Sequence, residues 1–516
     1  MTSNLSANPA SGEERAAILQ QGHPSLTNPD LAPTPLTDRR WTWWHYATLW
    51  MGMVHNIFNF TWMGGLIVIG FSVWQAFIIA AAGTLIQTFV IGYNGRVGSR
   101  YGIPFPVWAR ASFGVRGANI PALLRGAVAV GWFGVQSYLA ALAVNLLFRT
   151  AMPAWRSLDH YSFLGASANL WIAMVVYWLL NFLVLRHGME TIRRFEVWAG
   201  PAIFVVVAIM LGWILTSAHG VGPLFSQPSH IGMADFFETK FIPGVALFIA
   251  GSWATMALNI PDLTRFARSN KEQFWGTMIG LPAASIVYYA MAALIVSAGI
   301  DLFHKTLWNP ADVLTAINIP ALSVIGALIL ALATISVNIP ANIVSPSYDL
   351  NNLAPRLFTF KRAAVVAIII SFVYGPWEIM KNPDTLYSVL DNIGAVLGPI
   401  LGIVMADFFI VRRRRLAVRD LYQPDGIYRA SGGYNLVAIG VFLAVTAVLI
   451  IGEYVPPVGW LYNNAWFVGV ILGFVVYTAI VILLRAAKAR SAAQFQAVGS
   501  EGIEAVEREQ VGAGSA

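Results

Sequence analysis

Apolar runs of membrane-crossing length recur along almost the whole chain, and they restrict it to folds that a bilayer can solvate. A helix needs about 20 residues to cross roughly 30 Å of hydrocarbon, and lipid leaves exposed backbone polar groups unsatisfied. Twelve spans are predicted, near 43–70, 72–96, 119–148, 168–186, 192–217, 236–262, 273–299, 319–346, 362–380, 386–411, 434–453 and 464–485. Hydrophobic residues make up 57% of the 516 positions and charged residues 11%, too little polar surface for a soluble protein of this size. The expected fold class is an all-α polytopic membrane protein with one transmembrane domain over residues 41–485. The polar, Pro-rich residues 1–40 read as a disordered cytoplasmic tail. Residues 486–516, rich in Ala, Glu and Gly, read as a second tail.

Orientation follows from Lys and Arg in the short loops. Arg96, Arg100, Arg110 and Arg116 precede span three; Arg186, Arg193 and Arg194 separate spans four and five. Arg265, Arg268 and Lys271 follow span six, and Arg412, Arg413, Arg414 and Arg415 follow span ten. The opposite loops carry only Arg149, Arg156, Lys305 and Lys381. The asymmetry puts both termini in the cytoplasm of a multi-pass protein of the cell membrane, inner or plasma. The net charge of +7 therefore sits at helix ends, facing membrane lipids, and is no sign of nucleic-acid binding. There is no cysteine, no HExxH, no metal-ligand cluster and no GxxxxGK[ST] loop. An enzyme, a resident cofactor and ATP-driven transport are all disfavoured. A monomer suffices for such a fold, and the oligomeric state is left open.

Two spans look interrupted. Span one holds Gly52, His55, Asn56 and Asn59 at its middle; span six holds Pro243, Gly251, Ser252, Trp253, Asn259 and Pro261. A helix broken at bilayer depth survives beside a polar cavity. Matching breaks in two halves point to inverted repeats, over about 43–217 and 236–411, with a site at the midplane. Spans 434–453 and 464–485 fall outside the repeats. In the stretch GWFGVQSY on span three, Trp132 and Gln136 stand four residues apart, on one helix face. A flat indole beside an amide suits a small planar, hydrogen-bonding ring. On span ten, Gly394, Gly398, Pro399 and Gly402 suit either a flexible gate or close packing. Asp262 and Asp407 read as partners of nearby arginines, and Arg110 as a headgroup anchor or loop tether.

The stretch YGIPFPVWARASFGVRGANIPALLRGAVAVGWFGVQSY (101–138) resembles the most distinctive segment of the nucleobase:cation symporter-1 family. WATMALNIPDLTRFA (253–267), ATISVNIPANIVSP (333–346) and LGPILGIVMADFFIVRRRR (397–415) are similar to further family segments. The resemblance spans about residues 27–485. It implies a leucine-transporter-type arrangement of five plus five inverted helices with two added helices. It further implies that Trp132 and Trp253 sandwich the substrate ring, and that Gln136 and Asn342 bond its edge. Asn56 falls where hydantoin-type members carry Gln, preceded by His55 where those members have an apolar residue, differences that argue against hydantoin relative to the other rings the family carries.

For a coupling cation, the resemblance implies carbonyls at Gly52, His55 and Ala333 and a hydroxyl at Ser336. Val337 stands where a second hydroxyl is expected and supplies no oxygen, which weakens a sodium cage and leaves sodium, proton or no coupling open. The expected function is a secondary active permease importing a neutral ring such as allantoin, hydantoin, uracil or cytosine by alternating access. The alternatives are a passive channel and a transport-dead substrate sensor of the same fold.

Overall fold

The computed structural model describes residues 12–185, 189–217, 220, 229–305, 307, 309–380 and 383–487. Apart from one two-stranded turn, residues 162–167, the described chain is helices and their connections. Nine of the helices are long and apolar enough to cross a membrane. The expected spans 43–70, 236–262 and 362–380 are absent from those nine because each is divided. The first is α2 (Trp43–Val54) followed by α3 (Ile57–Val68), after the short α1 (Gly12–Gln21).

Between the breaks, α4 (Val73–Tyr101) starts on a capping box of Ser72 and Gln75 and stops at Gly102, whose φ of 71° ends the helix. The amphipathic α5 (Phe105–Phe113) leads into the 33-residue α6 (Asn119–Ala151). α7 (Ala168–Leu185) and α8 (Met189–Ser217) complete the first set. The second set opens with α9 (Phe241–Ser252) and α10 (Ala254–Asn259), then α11 (Asn270–Phe303). Next, α12 (Pro320–Val337) passes through a π-turn at Asn338–Ile343 into α13 (Val344–Leu353). Pro340 in that turn has no N–H, so regular α bonding cannot continue through it. The shorter α14 (Phe360–Ser371), α15 (Pro383–Met405), α16 (Leu436–Tyr454) and α17 (Ala465–Ala487) follow.

The two breaks are secured reciprocally. Tyr288 on α11 donates to the Asn56 carbonyl at the first break, at 2.7 Å. At the second, Gln87 and Asn94 on α4 donate to the carbonyls of Ile249 and Ala257, at 2.9 and 2.6 Å. Each half's second long helix thus satisfies backbone freed in the other half's first. This is the relation that paired repeats require.

Residues 12–40 correct the reading of a disordered tail. Leu31 and Ala32 are fully buried. Arg265 donates to Thr34 Oγ1 at 2.7 Å, to the Asp30 carbonyl at 2.8 Å, and to the Ala32 carbonyl. Arg39 donates to the carbonyls of Thr34 and Ser99 at 2.9 and 2.7 Å. The segment has no regular backbone ladder, and the carbonyls of Asp30, Ala32 and Thr34 accept from arginine instead. Burial lowers the Arg39 guanidinium to about 10, still charged at neutral pH. Residues 1–11 and 488–516 lie outside the described residues.

Arg110 is also buried. It donates to Asn352 Oδ1 at 2.7 Å and to the Leu421 carbonyl at 2.9 Å, so it tethers loops and does not reach headgroups. Asp407 pairs with Arg412 at 2.6 Å. Asp262, by contrast, accepts from the Phe105 backbone N–H at 2.7 Å, while Arg265 turns to the N-terminal segment. The glycines of α15 serve close packing: a Cβ at Gly398 would lie 2.9 Å from the Trp466 carbonyl on α17.

Candidate functional site

The first break is built by its own side chains. Asn56 caps α3, accepting from the Asn59 N–H at 3.0 Å, and its amide donates to the Met53 carbonyl at 2.6 Å. Asn59 donates to the Val54 carbonyl at 2.8 Å. Both asparagines thus satisfy backbone that the interrupted helix leaves open. The second break falls at Trp253 itself, whose φ of −122° and ψ of 15° end α9 and start α10.

These elements enclose a small cavity. Asn56, Phe58 and Asn59 line it from the first break, Trp132 and Gln136 from α6, and Ser252, Trp253 and Met256 from the second. Val337, Ala341 and Asn342 close it. Trp132 meets Phe58 edge-on at a centroid distance of 4.5 Å; Trp253 meets Trp50 edge-on at 5.4 Å. The space measures ≈ 20 Å³. That is on the order of one water, far below the roughly 300 Å³ at which small-molecule pockets begin. The described state is therefore contracted, and a ring enters only as side chains move apart. A larger, almost wholly apolar hollow of ≈ 340 Å³ also borders Trp132, between α6 and α15. It offers no comparable set of donors and acceptors.

Two polar atoms at the small cavity are buried and lack a hydrogen-bond partner among the described residues: Gln136 Oε1 and the Trp253 indole Nε1. One is an acceptor and the other a donor. The Gln136 amide nitrogen makes only a long bond to Asn56 Oδ1, 3.4 Å. Asn342 donates to Asn338 Oδ1 at 2.9 Å. Asn338 in turn donates to Tyr177 Oη at 3.3 Å. The structure thus brings Trp132, Gln136, Trp253, Asn342 and Asn56 to one cavity. His55 is the exception. Its ring packs between Tyr288 and Phe204, at 4.7 and 5.3 Å, and its Nδ1 bonds the Met51 carbonyl. It serves the break and lies outside the cavity lining, so its assignment as a substrate-facing group is corrected.

The residues expected around a cation are rearranged by one that sequence reasoning missed. Glu196 on α8 is 2% exposed, and its Oε2 accepts from the Ser336 hydroxyl. A Cβ at Gly52 would run into both that Oε2 and Ser336 Oγ. A larger residue at 52 would push both side-chain oxygens aside. Val337 lines the ring cavity, so a hydroxyl missing there is missing from the cavity wall. Thr334 bonds the Leu330 carbonyl of its own helix. The signal available in sequence was a lone acid at the fifth residue of the expected span five. Its proximity to the basic loop disguised it as an interfacial charge.

Comparison with known proteins identifies similar chains among permeases. A family profile described as permease for cytosine/purines, uracil, thiamine, allantoin matches residues 33–469. The chain is 40% identical over 470 residues to an allantoin permease of Bacillus subtilis, covering 90% of this chain and 94% of that protein. It is 33% identical over 469 residues to a putative allantoin permease of Escherichia coli, covering 90% and 96%. Among solved structures, it is similar to Mhp1, a nucleobase-cation-symport-1 family transporter, closed with bromovinylhydantoin bound. The TM-score is 0.76 at 26% identity, over 90% of this chain and 96% of that one. The inward-facing conformation of Mhp1 gives a TM-score of 0.72 at 25% identity, over 90% and 95%.

Proposed function

Since the chain belongs to the nucleobase:cation symporter-1 family, we propose that it is a cation-coupled permease importing a neutral ureide ring, allantoin first among the candidates. The observation that carries this reading is the unpaired acceptor and unpaired donor at one buried cavity, Gln136 Oε1 and Trp253 Nε1. A buried polar atom without a partner costs about 1–3 kcal/mol. A ureide edge alternates N–H and C=O and would satisfy both atoms at once. The relatives named as allantoin permeases favour that ring over a pyrimidine.

Trp132 and Trp253 give the ring two aromatic walls. The neutral amides of Gln136 and Asn342 suit a neutral substrate, because a buried charge is far costlier. Binding favours an occluded state, and rocking of one helix set against the other exposes the site to the opposite side. The Lys- and Arg-rich loops support a cytoplasmic position for the N-terminal segment and the basic end of the bundle.

Counterflow in proteoliposomes tests the proposal. Vesicles preloaded with unlabelled allantoin should accumulate external labelled allantoin transiently and saturably, with uracil and hydantoins competing less well. Flux that rises linearly with concentration, with no counterflow, would indicate a channel and remove the permease reading.

A further inference from the structure

A carboxamide has a donor end and an acceptor end, so its neighbours decide which end a ligand meets. At the small cavity, Asn56 is committed at both ends to the backbone of the first break. Its Oδ1 accepts from the Asn59 N–H at 3.0 Å and its nitrogen donates to the Met53 carbonyl at 2.6 Å. Gln136 therefore turns its nitrogen to Asn56 Oδ1, at 3.4 Å, and its Oε1 stays unpaired. Asn342 is oriented in the same way, through a residue that does not line the cavity. Asn338, fully buried at the start of the π-turn, directs its nitrogen at three oxygens. These are the Phe133 carbonyl and the Ser137 hydroxyl on α6, each at 3.4 Å, and the Tyr177 hydroxyl on α7, at 3.3 Å. A hydroxyl can meet either end of an amide, but a carbonyl only accepts. Turning Asn338 over would set two acceptors against each other. Its Oδ1 therefore faces Asn342, which donates to it at 2.9 Å. Among the described residues Asn342 Oδ1 accepts no hydrogen bond, and it is the end left for a ring.

We propose that Asn338 is a positioning residue that fixes Asn342 as an acceptor, so that the site selects rings by the sense of their hydrogen bonds. The proposal rests on the ureide-permease reading and narrows the substrate class of that same site. With Gln136 Oε1 and Asn342 Oδ1 as acceptors and the Trp253 indole as donor, the cavity asks for two N–H groups and one carbonyl. Ureide rings and uracil offer both N–H groups. Cytosine has almost the same size and shape, but it carries a bare lone pair where uracil has N3–H and an amine where uracil has a carbonyl. Against an acceptor that cannot turn over, that lone pair is left unpaired and repelled. Two rings so alike in volume are separated by hydrogen bonding and not by fit. The discrimination lasts only while Asn342 is held, and the hold comes through Asn338 from the backbone of α6.

The test is calorimetric titration of the purified full-length protein in detergent with uracil, cytosine and allantoin, each separately. Wild type should bind uracil more tightly than cytosine by roughly tenfold or more. Asn338→Leu removes the oxygen that holds Asn342, whose amide can then present either end, and the preference for uracil should shrink by about fivefold or more. Asn338→Ala repeats the measurement should leucine at this buried place fail to fold. Asn338→Asp keeps an oxygen to accept from Asn342 and should preserve the preference. A purely structural Asn338 would weaken both rings alike, so an unchanged uracil-to-cytosine ratio in the leucine or alanine variant would overturn the proposal. A wild-type protein that binds allantoin yet takes cytosine as tightly as uracil would overturn it too. A uracil preference that Asn338→Leu erases, in a protein that does not bind allantoin, would support the role of Asn338 and remove the allantoin reading instead.

Discussion

Replacing Gln136 by Leu separates a ligand-binding amide from a structural one, because the two roles predict opposite signs. In the contracted state the side chain contributes little to the protein itself. Its nitrogen makes one long bond, 3.4 Å to Asn56 Oδ1, and its oxygen is unpaired. Asn56 keeps its bonds to Asn59 and Met53 without it. Removing the amide therefore loses a weak bond of at most about 0.5 kcal/mol and eliminates a buried unpaired acceptor costing about 1–3 kcal/mol. Leu fills similar space. The unliganded protein should be as stable as wild type or slightly more so. Bound substrate, however, loses the partner of one buried N–H. The same 1–3 kcal/mol then opposes binding, a loss of about 5- to 150-fold in affinity at 1.4 kcal/mol per decade. Thermal midpoints without ligand and allantoin titrations of the same preparations measure both quantities. A clear drop in the unliganded midpoint with unchanged affinity would show that Gln136 ties helices together, and the site assignment would fail.

Three further outcomes follow from named contacts. Trp132→Ala and Trp253→Ala should each abolish allantoin uptake while membrane insertion persists; uptake near the wild-type rate in both would remove the stacked-ring arrangement. Val337→Thr should change substrate affinity or selectivity and leave the sodium response unaltered, since position 337 lines the ring cavity; a steeper sodium dependence of uptake would place its side chain at the ion. Arg265→Ala removes the donor to Asp30, Ala32 and Thr34, so limited proteolysis within residues 12–34 should accelerate several-fold relative to wild type. An unchanged digestion pattern would mean that the segment is held by its other contacts.

What the sequence reveals here depends on the kind of constraint. Apolar runs and the two clusters of Gly, Asn and Pro were legible because lipid penalises every broken backbone bond, so a break must be marked by residues that can satisfy it. Asn56 and Trp253 fall at those marks. The spacing of Trp132 and Gln136 was legible because one helix carries both. Side-chain direction at the breaks was not. His55 and Asn56 are adjacent, yet one packs outward against α8 and α11 and the other lines the cavity, a consequence of the local turn and invisible to periodicity. The N-terminal segment misled for a different reason. Pro-rich composition signals the absence of regular structure, and its order comes from arginines far along the chain. Glu196 was hidden because its partners, Gly52 and Ser336, come from two other helices.

The same short turn of backbone bears on both halves of the proposed transport cycle. Gly52 lies against the Glu196 and Ser336 oxygens. Four residues later, Asn56 touches Gln136 and lines the ring cavity. Between them the helix is interrupted, and its ends are held by Asn56, Asn59 and Tyr288. An ion drawing α2 toward α8 and α12 would therefore fix the turn that positions Asn56, and a ring ordering Gln136 and Asn56 would fix the turn that brings Gly52 to the carboxylate. Coupling of this kind is reciprocal by thermodynamic necessity: the factor by which the coupling cation tightens the ring must equal the factor by which the ring tightens the cation. It needs no path through the bundle longer than the four residues from Gly52 to Asn56.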